Sequence, residues 1–333
     1  MKFIDIPCAE RRHILDSLQA NIGLKSAIIE KDWWVTAVLR ALFQLPYNQH
    51  LSFKGGTNLS KCWHLIQRMS EDADIGITRE FLGFKGKLSK NQISDKLRRA
   101  ACSFVRNILQ NDLRNQMIKA GIAPDKFNIF VNITTVSTTD PEVIYVEYEQ
   151  AASPVNYIPP VVKIEVSGRS MAEPIEEVKI CSLIDSAVPD AIFIEPKFPV
   201  RAVMAKRTFL EKIFLLHEEF AKEEGKIRVN RMSRHLYDVH RMLHTPIAEE
   251  ALADNDLYCT VIEHRKTFIG LKGFDYNTLH KETLTFIPPA SVYDEWKKDY
   301  RTMQEEMIYG DSLPFDEMIS ELQILNNRIN GLG

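Results

Sequence analysis

At 333 residues, the chain is long enough for two domains, or for one large domain with a helical annex. A formal net charge of −3 and a pI near 6.3 exclude a uniformly basic nucleic-acid binder, so any contact with nucleic acid has to come from a local patch. The cysteines Cys8, Cys62, Cys102, Cys181 and Cys259 form no Cys-x-x-Cys pair, and no apolar run approaches the ~18 residues of a membrane span; the expectation is a cytoplasmic protein without disulfides, zinc finger or membrane partner.

In chain order, residues 8–21 read as a short charged helix and residues 26–43 as a stronger one. Ser26 is placed to cap the second helix, and Ile29, Trp33, Val35, Leu39, Leu42 and Phe43 give it a broad apolar stripe. Lys31 and Asp32 interrupt that stripe, where charged side chains are usually solvated. The run His50–Phe53 reads as a strand ending in a turn at Gly55-Gly56, followed by a helical pattern through Leu59, Trp63, Leu65 and Ile66. Next, Asp72-Ala-Asp-Ile-Gly-Ile-Thr78 alternates. A strand there turns Asp72 and Asp74 to one face and Ala73, Ile75 and Ile77 to the core. Two carboxylates on one face repel each other unless a cation lies between them, and Mg²⁺ (or Mn²⁺) suits carboxylates combined with phosphate oxygens. Glycines let backbone come close to a phosphate, and a following helix N-terminus offers free N–H groups to an anion.

Residues 85–119 carry Lys85, Lys87, Lys90, Lys96, Arg98, Arg99, Arg106, Arg114 and Lys119 against Asp95 and Asp112 alone. In an acidic chain that bias marks a candidate phosphate-backbone surface, with Arg98, Arg99 and Arg106 as acceptor-binding residues. Strands are predicted over Phe127–Val136 and Val143–Tyr148, joined by the turn Ser137-Thr-Thr-Asp-Pro141, and over Val161–Ser167. In the last of these Glu165 takes the polar face, either as a third carboxylate of the site or as a solvent-facing side chain. A proline-rich connection (Pro174, Pro189, Pro196, Pro199) leads to a helix over about 200–224 with Lys206, Arg207 and Lys212, then to one over about 231–243. Arg234 and Asp238 there are spaced i,i+4, a pairing worth a few tenths of a kcal/mol on an open helix. Lys212 falls outside its helix's apolar stripe, so its removal is predicted to cost roughly 0.5 kcal/mol or less. Residues 246–333 read as a helical packing region, and His264 and His280 show no metal-ligand spacing. Walker, Gly-x-Gly-x-x-Gly, Gly-x-Ser-x-Gly and His-Glu-x-x-His motifs are absent.

Gly55-Gly56-Thr57-x-Leu59-Ser60 followed by Ser70-Glu71-Asp72-x-Asp74 resembles the nucleotidyltransferase core of the AbiEii/AbiGii-type toxins, within the DNA polymerase β-like nucleotidyltransferase superfamily. The resemblance runs upstream to Glu30-Lys31-Asp32-Trp33 and downstream to Arg207 through Asp238, about residues 25–245. It implies an α+β fold. A polymerase β-like core with a mixed or antiparallel sheet would occupy residues 1–198, including the basic insert, and a helical domain over 199–333 would complete the nucleotide pocket. It implies that Asp72, Asp74 and Glu165 hold the metal, and that Gly55, Gly56, Thr57 and Ser60 bind the triphosphate. Arg207, Lys212 and Asp238 would line the nucleotide site, and Glu165 would help to deprotonate a hydroxyl acceptor. His235 stands where many members have Asp, which withholds a role from that position. The implied setting is the toxin of a bacterial toxin–antitoxin or phage-defence pair, with an NTP substrate, an antitoxin encoded alongside and the tRNA acceptor end as target. Transfer to a protein hydroxyl, or nucleotide binding without turnover, remains open at this point.

Overall fold

A seven-stranded mixed sheet organises the N-terminal part of the computed structural model, which describes residues 1–70, 72–132, 142–155, 158–171 and 173–332. Two compact units divide the chain: Met1–Cys62 with Met69–Val203, and Trp63–Arg68 with Met204–Gly333.

In the first unit the strands are β1 (Leu51–Lys54), β2 (Asp72–Ile77), β3 (Phe127–Val131), β4 (Glu142–Tyr148), β5 (Val161–Ser167), β6 (Ile175–Ile180) and β7 (Phe198–Val203), in the order β3-β4-β5-β2-β1-β7-β6. The pairs β5/β2 and β1/β7 are parallel and the rest antiparallel. Alternation sets the faces: Ala73, Ile75, Val162, Ile164, Val166, Ile144 and Val146 are buried to one side. Two helices precede the sheet, α1 (Cys8–Ile22) and α2 (Ser26–Leu42), and α2 packs on β2, β5 and β7. Almost every side chain of α2 is buried, the charged Glu30, Lys31 and Arg40 included. Trp34 stacks on Tyr148 at 4.9 Å between ring centroids.

The charges of α2 are architectural rather than solvated. Glu30 accepts the N–H groups of Ala151 and Ala152 at 2.8 and 2.9 Å, and the buried Lys31 donates to the Pro159 carbonyl at 3.4 Å. Asp32 accepts from Lys61 Nζ at 2.5 Å and from the Leu183 N–H at 2.7 Å. Ser26 is not the cap of this helix: Lys25 holds that position, and the Ser26 N–H is taken by the Gln19 side chain at 2.8 Å.

Other expectations are corrected. After the Gly-Gly turn the helix α3 spans Gly55–Lys61 and does not reach Ile66; His64 adopts φ +52° and the chain passes into the second unit. The proline-rich stretch contains β6 and the short helix α6 (Leu183–Ala187), which follows the basic-region helices α4 (Arg98–Phe104) and α5 (Gln110–Lys119) with their flanking π turns Gln92–Leu97 and Val105–Leu109. Residues 200–203, expected to open a helix, belong instead to β7, because Phe198, Val200 and Ala202 alternate inward and the strand pairs with β6 on one side and β1 on the other. The predicted strand beyond residue 132 and the turn 137–141 lie outside the described residues.

The second unit is helical: α7 (Ala205–Phe220), α8 (Ser233–Leu243), α9 (Pro246–Ala253), α10 (Asn255–His264), α11 (Tyr293–Glu306) and α12 (Phe315–Ile329). Trp296 is fully buried against Phe220, and Glu218 of α7 forms a buried bidentate pair with Arg265. The start of α8 is fixed by Asp299, which accepts from the Arg231 N–H at 2.7 Å and the Ser233 N–H at 3.0 Å. Residues 63–68 join this unit through an antiparallel bridge between Arg68 and Ile308 and a bond of 3.0 Å from the Tyr309 N–H to the Gln67 carbonyl. Among the described residues, no helix is long and apolar enough to cross a membrane.

Candidate active site

β2 sets the first half of the site. Asp72 and Asp74 are half-buried on one face, while Ala73, Ile75 and Ile77 anchor the strand on the other. β5 runs parallel beside it with Asp74 opposite Glu165 and Asp72 opposite Lys163. Residues in register on adjacent strands share a face, so the three carboxylates expected to hold a metal are neighbours on one side of the sheet. Across β1, Lys54 is in register with Asp74. Lys54 and Lys163 therefore occupy the same two rows as the carboxylates, a pairing that only the strand order reveals. Among the described residues, Asp72, Asp74 and Glu165 do not draw their oxygens within 4.8 Å of one another.

The turn after β1 is built around Asp74. Gly55 has φ +76°, and a Cβ there would lie 1.9 Å from Asp74 Oδ2. Only glycine leaves room for that carboxylate against the backbone at that φ. Two hydroxyls expected to bind phosphate are used within the turn. Thr57 is buried, shares a hydrogen bond of 2.8 Å with Ser70 Oγ and donates to the Asp72 carbonyl, tying the helix to the start of β2. Ser60 donates to the Thr57 carbonyl at 3.0 Å. Gly56 precedes Thr57 in the first turn of α3, and Glu71 is outside the described residues.

The second unit holds a separate charge cluster. Asp238, with no exposed surface, accepts two bonds of 2.7 Å from Arg68 and pairs with Lys212 Nζ at 2.8 Å. Burial alone would raise the Asp238 pKa, but the two cations and their hydrogen bonds outweigh it and hold the carboxyl well below the usual carboxylate range. Lys212 is only 6 % exposed, not the dispensable surface lysine predicted. Burial, with Arg68 and Arg234 nearby, pulls its pKa down against the pull of Asp238. His235 Nδ1 lies 3.4 Å from Lys212 Nζ. Burial and the neighbouring Lys212 and Arg234 push the His235 pKa well down, so the ring is neutral and its Nδ1 can accept from the ammonium. His235 thus has a place in the cluster where the sequence supported none. Asp238 is buried rather than a surface partner of Arg234, and it pairs with Arg68, 170 positions away, which no local spacing in the sequence links to it.

Arg207 is fully buried and donates to Glu211, one turn further along α7, at 3.1 Å. In the basic stretch, Arg106 forms a bidentate pair with the buried Glu142 of β4 at 3.1 Å. Arg99 is exposed and meets Asp95 at 2.8 Å, and Arg98 is half-buried. Arg106 fastens the basic helix to the sheet, leaving Arg98 and Arg99 as the candidates for an external phosphate.

Residues 37–321 match the family described as nucleotidyl transferase AbiEii toxin, type IV TA system. Among solved structures, MenT4, a nucleotidyltransferase toxin from Mycobacterium tuberculosis H37Rv, is 16% identical; the alignment covers 96% of this chain and 98% of that one, with a TM-score of 0.48. JHP933 from Helicobacter pylori is 14% identical over 92% of this chain and 94% of that one, with a TM-score of 0.43. No curated protein sequence gave a significant match.

Proposed function

From a chain that belongs to the AbiEii family of nucleotidyltransferase toxins of type IV toxin–antitoxin systems, we propose a metal-dependent enzyme that moves a nucleotide from an NTP to the acceptor end of tRNA. The observation that carries this reading is the row formed by Asp74 and Glu165 with Asp72 on the same face, closed against Gly55. Hard carboxylate oxygens suit Mg²⁺ or Mn²⁺, so Asp72, Asp74 and Glu165 would hold the ions. Bound there, the metal supplies charge neutralisation on the phosphates and orients the attacking and leaving oxygens. The Gly55–Gly56 backbone would lie along the triphosphate, while Thr57 and Ser60 hold the turn in shape. Glu165 would accept the proton of the attacking hydroxyl. Within the second unit, Lys212, paired with Asp238, is proposed as a phosphate-binding cation. The partner is an antitoxin that restrains this transfer in the cytosol.

The test is incubation of the full chain with each labelled NTP, with and without Mg²⁺ or Mn²⁺, and with total RNA or total protein. Label in the tRNA band that requires metal is the expected outcome. Label on protein would overturn the acceptor, and no label with any NTP would overturn transfer itself.

The exposed part of the basic stretch is the proposed acceptor surface. Reversing Arg98 and Arg99 to Glu should weaken RNA binding and flatten its salt dependence by roughly 0.7–0.9 in log–log slope for each phosphate no longer neutralised. Arg106 is left intact because a glutamate there would face Glu142 and damage the fold. An unchanged slope would remove these residues from the acceptor surface.

A further inference from the structure

We propose that His240, His244 and Glu321 form a transition-metal site of the zinc type that fastens α8 to α12. The two histidines are spaced i,i+4 at the C-terminal end of α8, which brings them to one side of the helix, and Glu321 projects from the middle of α12. His240 Nε2 and His244 Nε2 lie 2.9 and 2.8 Å from the same atom, Glu321 Oε2, and 3.3 Å from each other. Among the described residues, this is the group of three His, Cys, Asp or Glu side chains whose ligand atoms gather within 4.8 Å.

The geometry is a poor hydrogen-bond network and a good coordination face. If both rings donate an N–H to Oε2, the contact between the two Nε2 atoms brings two hydrogens together and holds no bond of its own. An ion removes that conflict by replacing both protons. A tetrahedral zinc with bonds of about 2.0–2.1 Å sets its ligand atoms about 3.3 Å apart, so the two nitrogens already have the required spacing and the carboxylate needs only a small withdrawal. Two imidazoles and one carboxylate suit Zn²⁺, Co²⁺, Ni²⁺ or Cu²⁺ rather than Mg²⁺, which separates this ion from the one proposed on the sheet. The His240 side chain is 7% exposed, His244 55% and Glu321 38%, so an ion can enter from solvent without unfolding and keep a water as its fourth ligand.

The experiment uses the full chain after chelation, titrated with Co²⁺ or Zn²⁺ alone. Wild type should bind one equivalent, develop the absorption bands of tetrahedral Co²⁺ and melt at a temperature that rises with Zn²⁺ concentration. His244→Ala and Glu321→Gln, at half-exposed positions, should melt like wild type without metal and bind at least about tenfold more weakly. The proposal is overturned if wild type binds neither ion stoichiometrically, if both variants bind as tightly as wild type, or if Mg²⁺ raises the melting temperature equally.

Discussion

Asp238→Ala is expected to destabilise the protein by about 3–5 kcal/mol, the usual cost of stranding a buried charge partner. Two cations are stranded here: Arg68 is deprived of both of its 2.7 Å bonds and Lys212 of its 2.8 Å ion pair, all out of reach of water. Asp238→Asn keeps the volume but not the charge and should be destabilised by less. Lys212→Ala is predicted to be milder still, because it removes one cation and leaves the Arg68–Asp238 pair whole. The pH dependence has a definite sign. A carboxyl held below its unfolded pKa contributes stability that is fully present above the ordinary carboxylate range, near pH 4, and is lost as pH falls through the depressed value. Wild type should therefore keep this contribution at pH 5 and lose it only in strong acid, while Asp238→Asn should show a flatter acid limb. Thermal melts followed by circular dichroism across that range decide it. A melting temperature for Asp238→Ala within a degree of wild type would mean the cluster is not what holds these helices.

The second large effect is on activity without an effect on folding. Asp74→Asn should lower nucleotide transfer by about 10³-fold, since on the proposed reading several kcal/mol of charge stabilisation would depend on a metal held by its carboxylate. The melting temperature without metal should stay the same or rise slightly, because one of two neighbouring negative charges, Asp74 beside Glu165, is gone. The rise produced by Mg²⁺ with NTP in wild type should disappear. Gly55→Ala provides a companion that removes no chemical group. Its Cβ would meet Asp74 Oδ2 at 1.9 Å, at a φ of +76° that L-residues adopt at a cost of about 1–2 kcal/mol, so the carboxylate has to move. Loss of transfer in both variants, with folding kept, ties activity to where Asp74 sits as well as to its charge. Full activity in Gly55→Ala would dissociate the turn from the site.

How far these residues could be read from sequence follows from the range of the forces that place them. Alternation is local, so Asp72 and Asp74 beside Ala73, Ile75 and Ile77 announced a strand with a polar face. Glu165 showed the same signature, but its position beside Asp74 depends on a parallel pairing across about ninety residues that no periodicity encodes. β6 has no clear local signature because Ile175-Glu-Glu-Val-Lys-Ile180 is an edge strand with little burial, and β7 has none because Pro199 sits within it, at a strand–strand pairing with Lys179. Lys212 looked solvated because the apolar stripe of α7 passes it by. Its burial comes from a carboxylate and an arginine brought in from α8 and from residues 63–68. Thr57 carried the right chemistry for a phosphate, yet its neighbours Ser70 and Asp72 claim its hydroxyl first.

The excursion of residues 63–68 has a consequence for the order in which the protein can be made. Arg68 leaves the ribosome long before Asp238, 170 residues downstream. Until that partner emerges, a short segment fixed at both ends to the sheet-forming part of the chain has nothing to settle on. Neither unit is a continuous stretch of polypeptide, so no single cut yields a whole second unit. β1 likewise waits for β7 before its second edge is paired. The late closure of a loop this long is slow to search. It should leave the nascent chain unable to hold Arg68 in place until α8 has been synthesised, with the sheet already carrying its three carboxylates.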